Sequence, residues 1–300
     1  MTFYAILLLH SLTQKEICKM KLINGFDLMT YAKAHHLVLP AFNTTNMELT
    51  LSIVKGLNNA HLPGYVQISS SNLKISSPKM IADITREAMA LYKVETPIGL
   101  HLDHGTSFED VKACVDAGFT SIMMDASRLP YQENMKEVRR AVEYCHFYGI
   151  PVEAELGCIS GKEDDIVVND AGKTDPDMVA EFLEKTQCDT LAVSIGNVHG
   201  LSLTPDIDLP LLKKISEIAG DTPLVLHGGS GIPAEIIRQA EKYNLIKINY
   251  GSDIRRVFIH AFGEAYMEDQ NAYNIMSCCK TALTDVTQRV QELVTMINAQ

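Results

Sequence analysis

The sequence predicts an α/β chain whose strands close into a parallel (β/α)8 barrel, a TIM barrel, with an extra C-terminal helix. Three observations predict it. Short apolar or β-branched runs alternate with longer stretches of helical periodicity, eight times over. Polar and charged residues gather just after the apolar part of those runs, where the strands of a barrel all open on one face. The first run leads into PAFNTTN, with no glycine, whereas a doubly wound nucleotide-binding sheet needs a Gly-rich first turn.

Taken in order, strands are expected at 37–42, 65–68, 98–102, 121–124, 150–154, 190–195, 223–226 and 245–248. Helical patterns fall between and after them, at 47–60, 78–92, 107–117, 133–147, 176–186, 210–219, 234–243 and 253–267. Asn46 stands where an N-cap belongs, and Thr174-Asp175-Pro176 places proline in a first helical turn. A last pattern at 283–297 fits a closing or oligomer-contacting helix.

A chain of 300 residues suits one such barrel. Residues 20–300 are read as a single domain, and 1–19 as an N-terminal extension with no assigned role. The opening MTFYAILLLHSL has neither a charged start nor a small-residue cleavage site, so a secretory signal is not expected. No apolar run approaches the roughly 20 residues of a membrane span. The net charge of −11, without a basic stripe, argues against nucleic acid as a partner but not against an anionic small molecule. Seven cysteines without a C-x-x-C pair read as reduced thiols, and the chain as soluble and cytoplasmic.

The strand ends carry Asn43, Ser69, Asp103 with His104, Asp125, Glu155, His199, His227 and Asn249. Three imidazoles, His104 in LDHG, His199 in GNVHG and His227 in LHGGSG, could share one metal ion and leave a coordination position open. Asp103 directly precedes His104, and both reach one centre only if the strand turns there; it is then a candidate acid/base. His101 lies on the same side of its strand as Asp103 and reads as a supporting partner. In VEAELGCISGKEDD, Glu153 and Glu155 share a strand face, and Glu163 lies beyond on a loop, where it could serve as a second base. Gly228, Gly229, Ser230 and Gly231 after the seventh strand, with Asn249, Gly251 and Ser252 after the eighth, resemble the phosphate grip of many barrels. A metal beside a phosphate grip points to a phosphorylated carbonyl substrate. Other readings remain open: a Schiff-base aldolase using Lys247, a metal-dependent hydrolase, or a catalytically inactive barrel.

The segments LHLDHG, VEAELGxxxGxE, LAVSIGNVHG, LHGGSG and KINYGSD, in that order, resemble the motifs of the class II, zinc-dependent ketose-bisphosphate aldolases of the fructose- and tagatose-bisphosphate type. The resemblance runs from about residue 20 to about residue 267. It implies reversible cleavage of a ketose 1,6-bisphosphate to dihydroxyacetone phosphate and glyceraldehyde 3-phosphate. His104, His199 and His227 fall on the zinc ligands, Asp103 on the proton donor/acceptor and Glu163 on the loop glutamate. Asp125 and Glu155 fall on carboxylates of a second or alternative metal position. Gly200, the run Gly228 to Ser230, and the run Asn249 to Ser252 fall on substrate and phosphate positions. The implied cofactor is Zn2+, with a second divalent ion or Na+ or K+ as further candidates, and the implied assembly is a homodimer or homotetramer. Two departures stand out. Where the family has a Gly-Gly pair, this chain has Ser160-Gly161. Gly251 stands where fructose-type enzymes often carry aspartate and tagatose-type enzymes a small residue, which leans the expectation toward tagatose.

Overall fold

The structure, a computed structural model, covers residues 21–163, 166–168, 172–201, 205–271 and 273–299, with backbone alone at 160, 162–163 and 166–168. The N-terminal extension lies outside the described residues. The chain begins with α1 (Gly25–Ala34) and β1 (Leu39–Asn43). It then alternates α2 (Met47–Ala60), β2 (Gly64–Ser69), α3 (Pro78–Leu91), β3 (Ile98–Gly105), α4 (Phe108–Ala117), β4 (Ser121–Met124), α5 (Tyr131–Phe147) and β5 (Val152–Leu156). Two short strands, β6 (Ser160–Glu163) and β7 (Ile166–Val168), interrupt the alternation. It resumes with α6 (Pro176–Thr186) and β8 (Thr190–Val193), followed by the two-residue β9 (Val198–His199). The remainder is α7 (Leu209–Ala219), β10 (Leu224–Leu226), α8 (Ala234–Glu241), β11 (Leu245–Tyr250), α9 (Ser252–Glu268) and α10 (Ile275–Ile297).

Eight strands pair in parallel in the order β1, β2, β3, β4, β5, β8, β10, β11, and β11 closes on β1. This is the expected barrel, and each expected strand lies in it. Side-chain caps set several helix starts. Asn46 Oδ1 accepts from Leu49 N–H at 3.0 Å, Ser107 Oγ from Asp110 N–H at 3.1 Å, and Asp175 Oδ1 from Asp177 N–H at 3.0 Å. Each satisfies a donor the helix itself leaves orphaned. The C-terminal helix differs from its expected bounds and starts at Ile275. Asn274 caps it by accepting from Ser277 N–H at 3.1 Å. Ile275 and Met276 are 65% and 75% exposed, so no apolar stripe marks that first turn in the sequence.

The core has two parts. Inside the barrel, Leu39, Ala41, Tyr65, Met123, Ala192, Val225 and Ile246 pack with Leu28 of α1. Helix α1 closes the floor: Ile23 N–H donates to Ile98 O and Gly25 N–H to Thr120 O, each at 2.9 Å. Outside the barrel, the other faces of the strands meet the helices in a larger cluster that includes Phe42, Ile53, Leu57, Val286 and Val290. Helix α10 lies against α2 and α9. No described helix is long and apolar enough to cross a membrane.

Candidate active site

Period-two alternation sends Leu39, Ala41 and Asn43 to the interior of β1, and Tyr65, Gln67 and Ser69 to the interior of β2. The inner face thus turns from apolar to polar toward the C-terminal ends. Register aligns the polar layer: Ser69 lies beside Asp103, Gln67 beside His101, and Ala41 beside Asn249. Buried polar groups need partners, and here they find one another. Asp103, fully buried, accepts from Asn43 Nδ2 at 2.7 Å on Oδ2 and from Asn249 Nδ2 at 2.9 Å on Oδ1. Gln67 Nε2 in turn donates to Asn43 Oδ1 at 2.9 Å and fixes that amide's orientation.

The strand turns where Asp103 and His104 need it to. His104 has φ 45°, and the pairing of β3 with β4 shifts between Leu102 and Gly105. Neighbouring residues that would otherwise face opposite ways therefore converge. His104 meets His227 at a ring-centroid distance of 4.6 Å and His199 at 5.4 Å. Ligand atoms of the three all lie within 4.8 Å of one another, as do those of His104, Asp125 and Glu155.

These residues fit a metal ion. His104 Nδ1 lies 2.6 Å from Asp125 Oδ2, and His227 Nε2 lies 2.8 Å from Glu153 Oε1. Each carboxylate claims an N–H, so the remaining nitrogens, His104 Nε2 and His227 Nδ1, turn lone pairs toward each other at 2.9 Å. Lone pairs that close need a shared proton or a metal cation between them. Burial alone would raise the Asp125 and Glu153 carboxyls. The His104 bond to Asp125, and Lys247 with His227 beside Glu153, outweigh it and hold both well below the usual range.

Lys247, the Schiff-base candidate, lies beneath this centre and is 4% exposed. Its Nζ donates to Glu153 Oε2 at 2.9 Å and to Asn249 Oδ1 at 2.8 Å. Engaged as an ammonium, it presents no lone pair to a ketone. His101 lies behind the imidazole cluster, its Nε2 3.8 Å from Glu153 Oε2. Its Nδ1 pairs with Ser121 Oγ at 2.8 Å, and burial, with Lys247 nearby, holds its pKa well below the usual imidazole value.

His199 arrives by a route the sequence does not announce. It belongs not to a barrel strand but to a small side sheet, in which β6 pairs antiparallel with β7 and parallel with β9. The expected loop carrying Glu163 is thus a β-hairpin strand at that residue, and its side chain lies outside the described residues. Gly161 pairs with His199 and has φ 109°, and a Cβ there would strike the His199 carbonyl. Of the pair that replaces Gly-Gly, the glycine retained is the one the geometry requires.

Two cavities meet at His199. One, of about 280 Å³, is lined by His104, Asp125 and Glu155, by Ser69, Ser70, Ser71 and Lys74, and by Thr106, Ser127, Arg128 and Cys158. The other, narrower, is lined by Asn43, Gly200, Gly228, Ser230, Asn249, Gly251, Ser252 and Arg255. Of the expected phosphate residues, Gly229 is placed differently. It lies outside that lining, and its N–H donates to Asn249 O at 2.8 Å, tying the two loops together. Ser230 Oγ accepts from Asp253 N–H at 3.1 Å, and Asp253 receives Arg289 of α10 at 3.1 and 2.7 Å. The C-terminal helix thereby braces the lining of the narrower cavity. Gln67, Arg255 and Arg128 were not singled out by the sequence reading. Gln67 shows as the middle member of the alternation Tyr65-Gln67-Ser69, and Arg255 follows Ser252 by three on one helix face.

The class-II fructose-bisphosphate aldolase family model matches residues 24–300. The fructose-bisphosphate aldolase of Geobacillus stearothermophilus is 35% identical over 257 residues, 85% of this chain and 89% of that protein. That of Staphylococcus epidermidis is 36% identical over 260 residues, covering 85% and 90%. The crystal structure of the YdjI aldolase from Escherichia coli K12 superposes with a TM-score of 0.79 at 28% identity, over 92% of this chain and 97% of that one. With match, identity and barrel in agreement, the chain belongs to the class-II fructose-bisphosphate aldolase family and is an enzyme, a carbon–carbon lyase.

Proposed function

We propose that this chain reversibly cleaves a ketose 1,6-bisphosphate into dihydroxyacetone phosphate and glyceraldehyde 3-phosphate, with Zn2+ held by His104, His199 and His227. The observation that carries the reading is the buried Asp103, gripped by two amides within 4.0 Å of the His104 imidazole. Class II aldolases depend on a metal ion. When bound, the ion supplies Lewis acidity at the ketone oxygen. The protein's own groups do the rest. Asp103 takes the proton of the C4 hydroxyl as the C3–C4 bond breaks and returns it on condensation. The paired amides of Asn43 and Asn249 hold its carboxylate in place for both directions. Glu163 is assigned the proton at the carbon of dihydroxyacetone phosphate. Gly200, Gly228, Ser230, Gly251 and Ser252 cradle that product's phosphate at the start of α9. Ser69 lines the wider cleft with Lys74 and Arg128, cations suited to the far phosphate. Asp125 and Glu155 serve a second metal position, for a divalent ion or Na+ or K+. A cytoplasmic homodimer or homotetramer is the expected assembly.

A tagatose preference is proposed from Gly251. Its φ of −122° admits any residue, and a Cβ there would lie 3.2 Å from Asn43 Oδ1 and 2.8 Å from Arg255 Nη2. A longer side chain would thus reach the substrate-holding residues. The test is coupled-assay cleavage of fructose and tagatose 1,6-bisphosphates, with and without EDTA and zinc readdition. Metal-dependent cleavage of tagatose above fructose, with the ratio shifting toward fructose in Gly251→Asp, is expected. Cleavage of neither sugar, or EDTA-resistant cleavage with borohydride trapping at Lys247, overturns the reading; an unchanged ratio removes the sugar preference.

A further inference from the structure

We propose that Lys247 is a positioning residue that couples the two halves of the catalytic centre, orienting a metal ligand and the proton-transferring carboxylate from a single buried ammonium. The inference rests on the aldolase reading above, but its geometry stands on its own. Lys247 Nζ divides its bonds between two branches. One runs through Glu153: Nζ donates to Oε2 at 2.9 Å, and Oε1 meets His227 Nε2 at 2.8 Å. That contact points the Nε2–H at Glu153 as donor and turns Nδ1 toward the other imidazoles. The second branch runs through Asn249: Nζ donates to Oδ1 at 2.8 Å, and Nδ2 donates to Asp103 Oδ1 at 2.9 Å.

An ammonium can only donate. It therefore forces the Asn249 carbonyl toward itself and the Asn249 NH2 toward Asp103. It likewise neutralises a carboxylate buried to 2% exposure, which lets Glu153 remain an ionised acceptor for His227. The lysine is not among the residues that line the two cavities. Among the described residues its side-chain hydrogen bonds go to these two neighbours. Asp103's other oxygen is served by Asn43, which Gln67 orients without any link to Lys247. The Lys247 branch is thus separable from the remaining support.

The experiment compares wild type with Lys247→Met, Glu153→Gln and the double variant Glu153→Gln/Lys247→Met. Metal affinity is read by chelator competition with no sugar present, and kcat and KM at saturating zinc. In Glu153→Gln, metal affinity is expected to fall about 10- to 100-fold, as for lost outer partners of metal ligands. Its kcat at saturating metal is expected to fall less than that of Lys247→Met, because the bond from Lys247 to Asn249 survives. Lys247→Met is expected to lose both metal affinity and, at saturating metal, more than about tenfold in kcat with little change in KM. If Lys247→Met does not fold, the double variant, which leaves no unpaired buried charge, carries the same expectation. A folded Lys247→Met or double variant with wild-type metal affinity and wild-type kcat overturns the proposal. So does a Glu153→Gln enzyme that loses kcat as deeply as Lys247→Met. Absence of sugar cleavage in the wild type would overturn the functional reading instead, and the metal arm would still decide whether Lys247 governs the ligand.

Discussion

Asp103 illustrates what a single side chain can owe to its surroundings. A carboxylate with no exposure would be expensive to ionise, yet two amide donors converge on it, and each of those amides is oriented by a further donor. Replacing it should isolate its chemical role, because it is not among the side chains whose ligand atoms cluster for a metal. Asp103→Ala is expected to lower kcat by about 10²- to 10⁴-fold, the usual worth of a positioned acid/base, with zinc affinity near wild type. Parallel loss of zinc affinity would show that the residue acts on the metal. At this scale much was legible. The strand-end positions of Asp103, His104 and His227 followed from short apolar runs ending in polar residues, and the shared face of Glu153 and Glu155 from period-two alternation. The partnership of Glu153 with Lys247 was not legible, since β5 and β11 do not pair with each other and meet only because the barrel closes.

Among elements, the side sheet of β6, β7 and β9 is the feature that sequence periodicity could not supply. Its β6 (SGKE) and the two-residue β9 carry no apolar run, and their pairing depends on β5 and β8 being adjacent in the barrel. The barrel strands and most helices were legible because their caps and alternation are local. Gly161 is the point at which the side sheet can be tested. A methyl group there meets the His199 backbone, and φ of 109° is costly for any L-residue. Gly161→Ala is expected to push β6 away from β9 and to weaken zinc binding at least about tenfold, the scale of lost support around a metal ligand. Barrel strands should stay intact by far-ultraviolet circular dichroism. Unchanged zinc affinity would mean that His199 is positioned without the β6 pairing.

For the molecule as a whole, the C-terminal helix α10 is structural closure as well as surface. Its Val290 sits over Gly56 of α2, and a Cβ on Gly56 would lie 2.6 Å from Val290 Cβ and 2.9 Å from Thr287 O. Two effects oppose each other in Gly56→Ala. Helix propensity favours alanine by about 1 kcal/mol. Overpacking against a backbone carbonyl, which cannot rotate aside, costs about 1–3 kcal/mol. The second should win, with a net loss of up to about 2 kcal/mol and a Tm lower by a few degrees in a thermal melt. A raised Tm would show that the two helices part more readily than their contact implies. The same helix reaches the lining of the narrower cavity through Arg289, Asp253 and Ser230, so the C-terminal helix and that lining share one chain of hydrogen bonds. One arrangement has a further consequence. His104 lies on a barrel strand and His227 directly follows one, while His199 hangs from a clip outside that frame. An ion gripped by all three is a rivet between frame and clip. If such an ion is removed, the clip would lose that tie to the frame, and compounds selected against demetallated protein would then be fitted to the wrong mould.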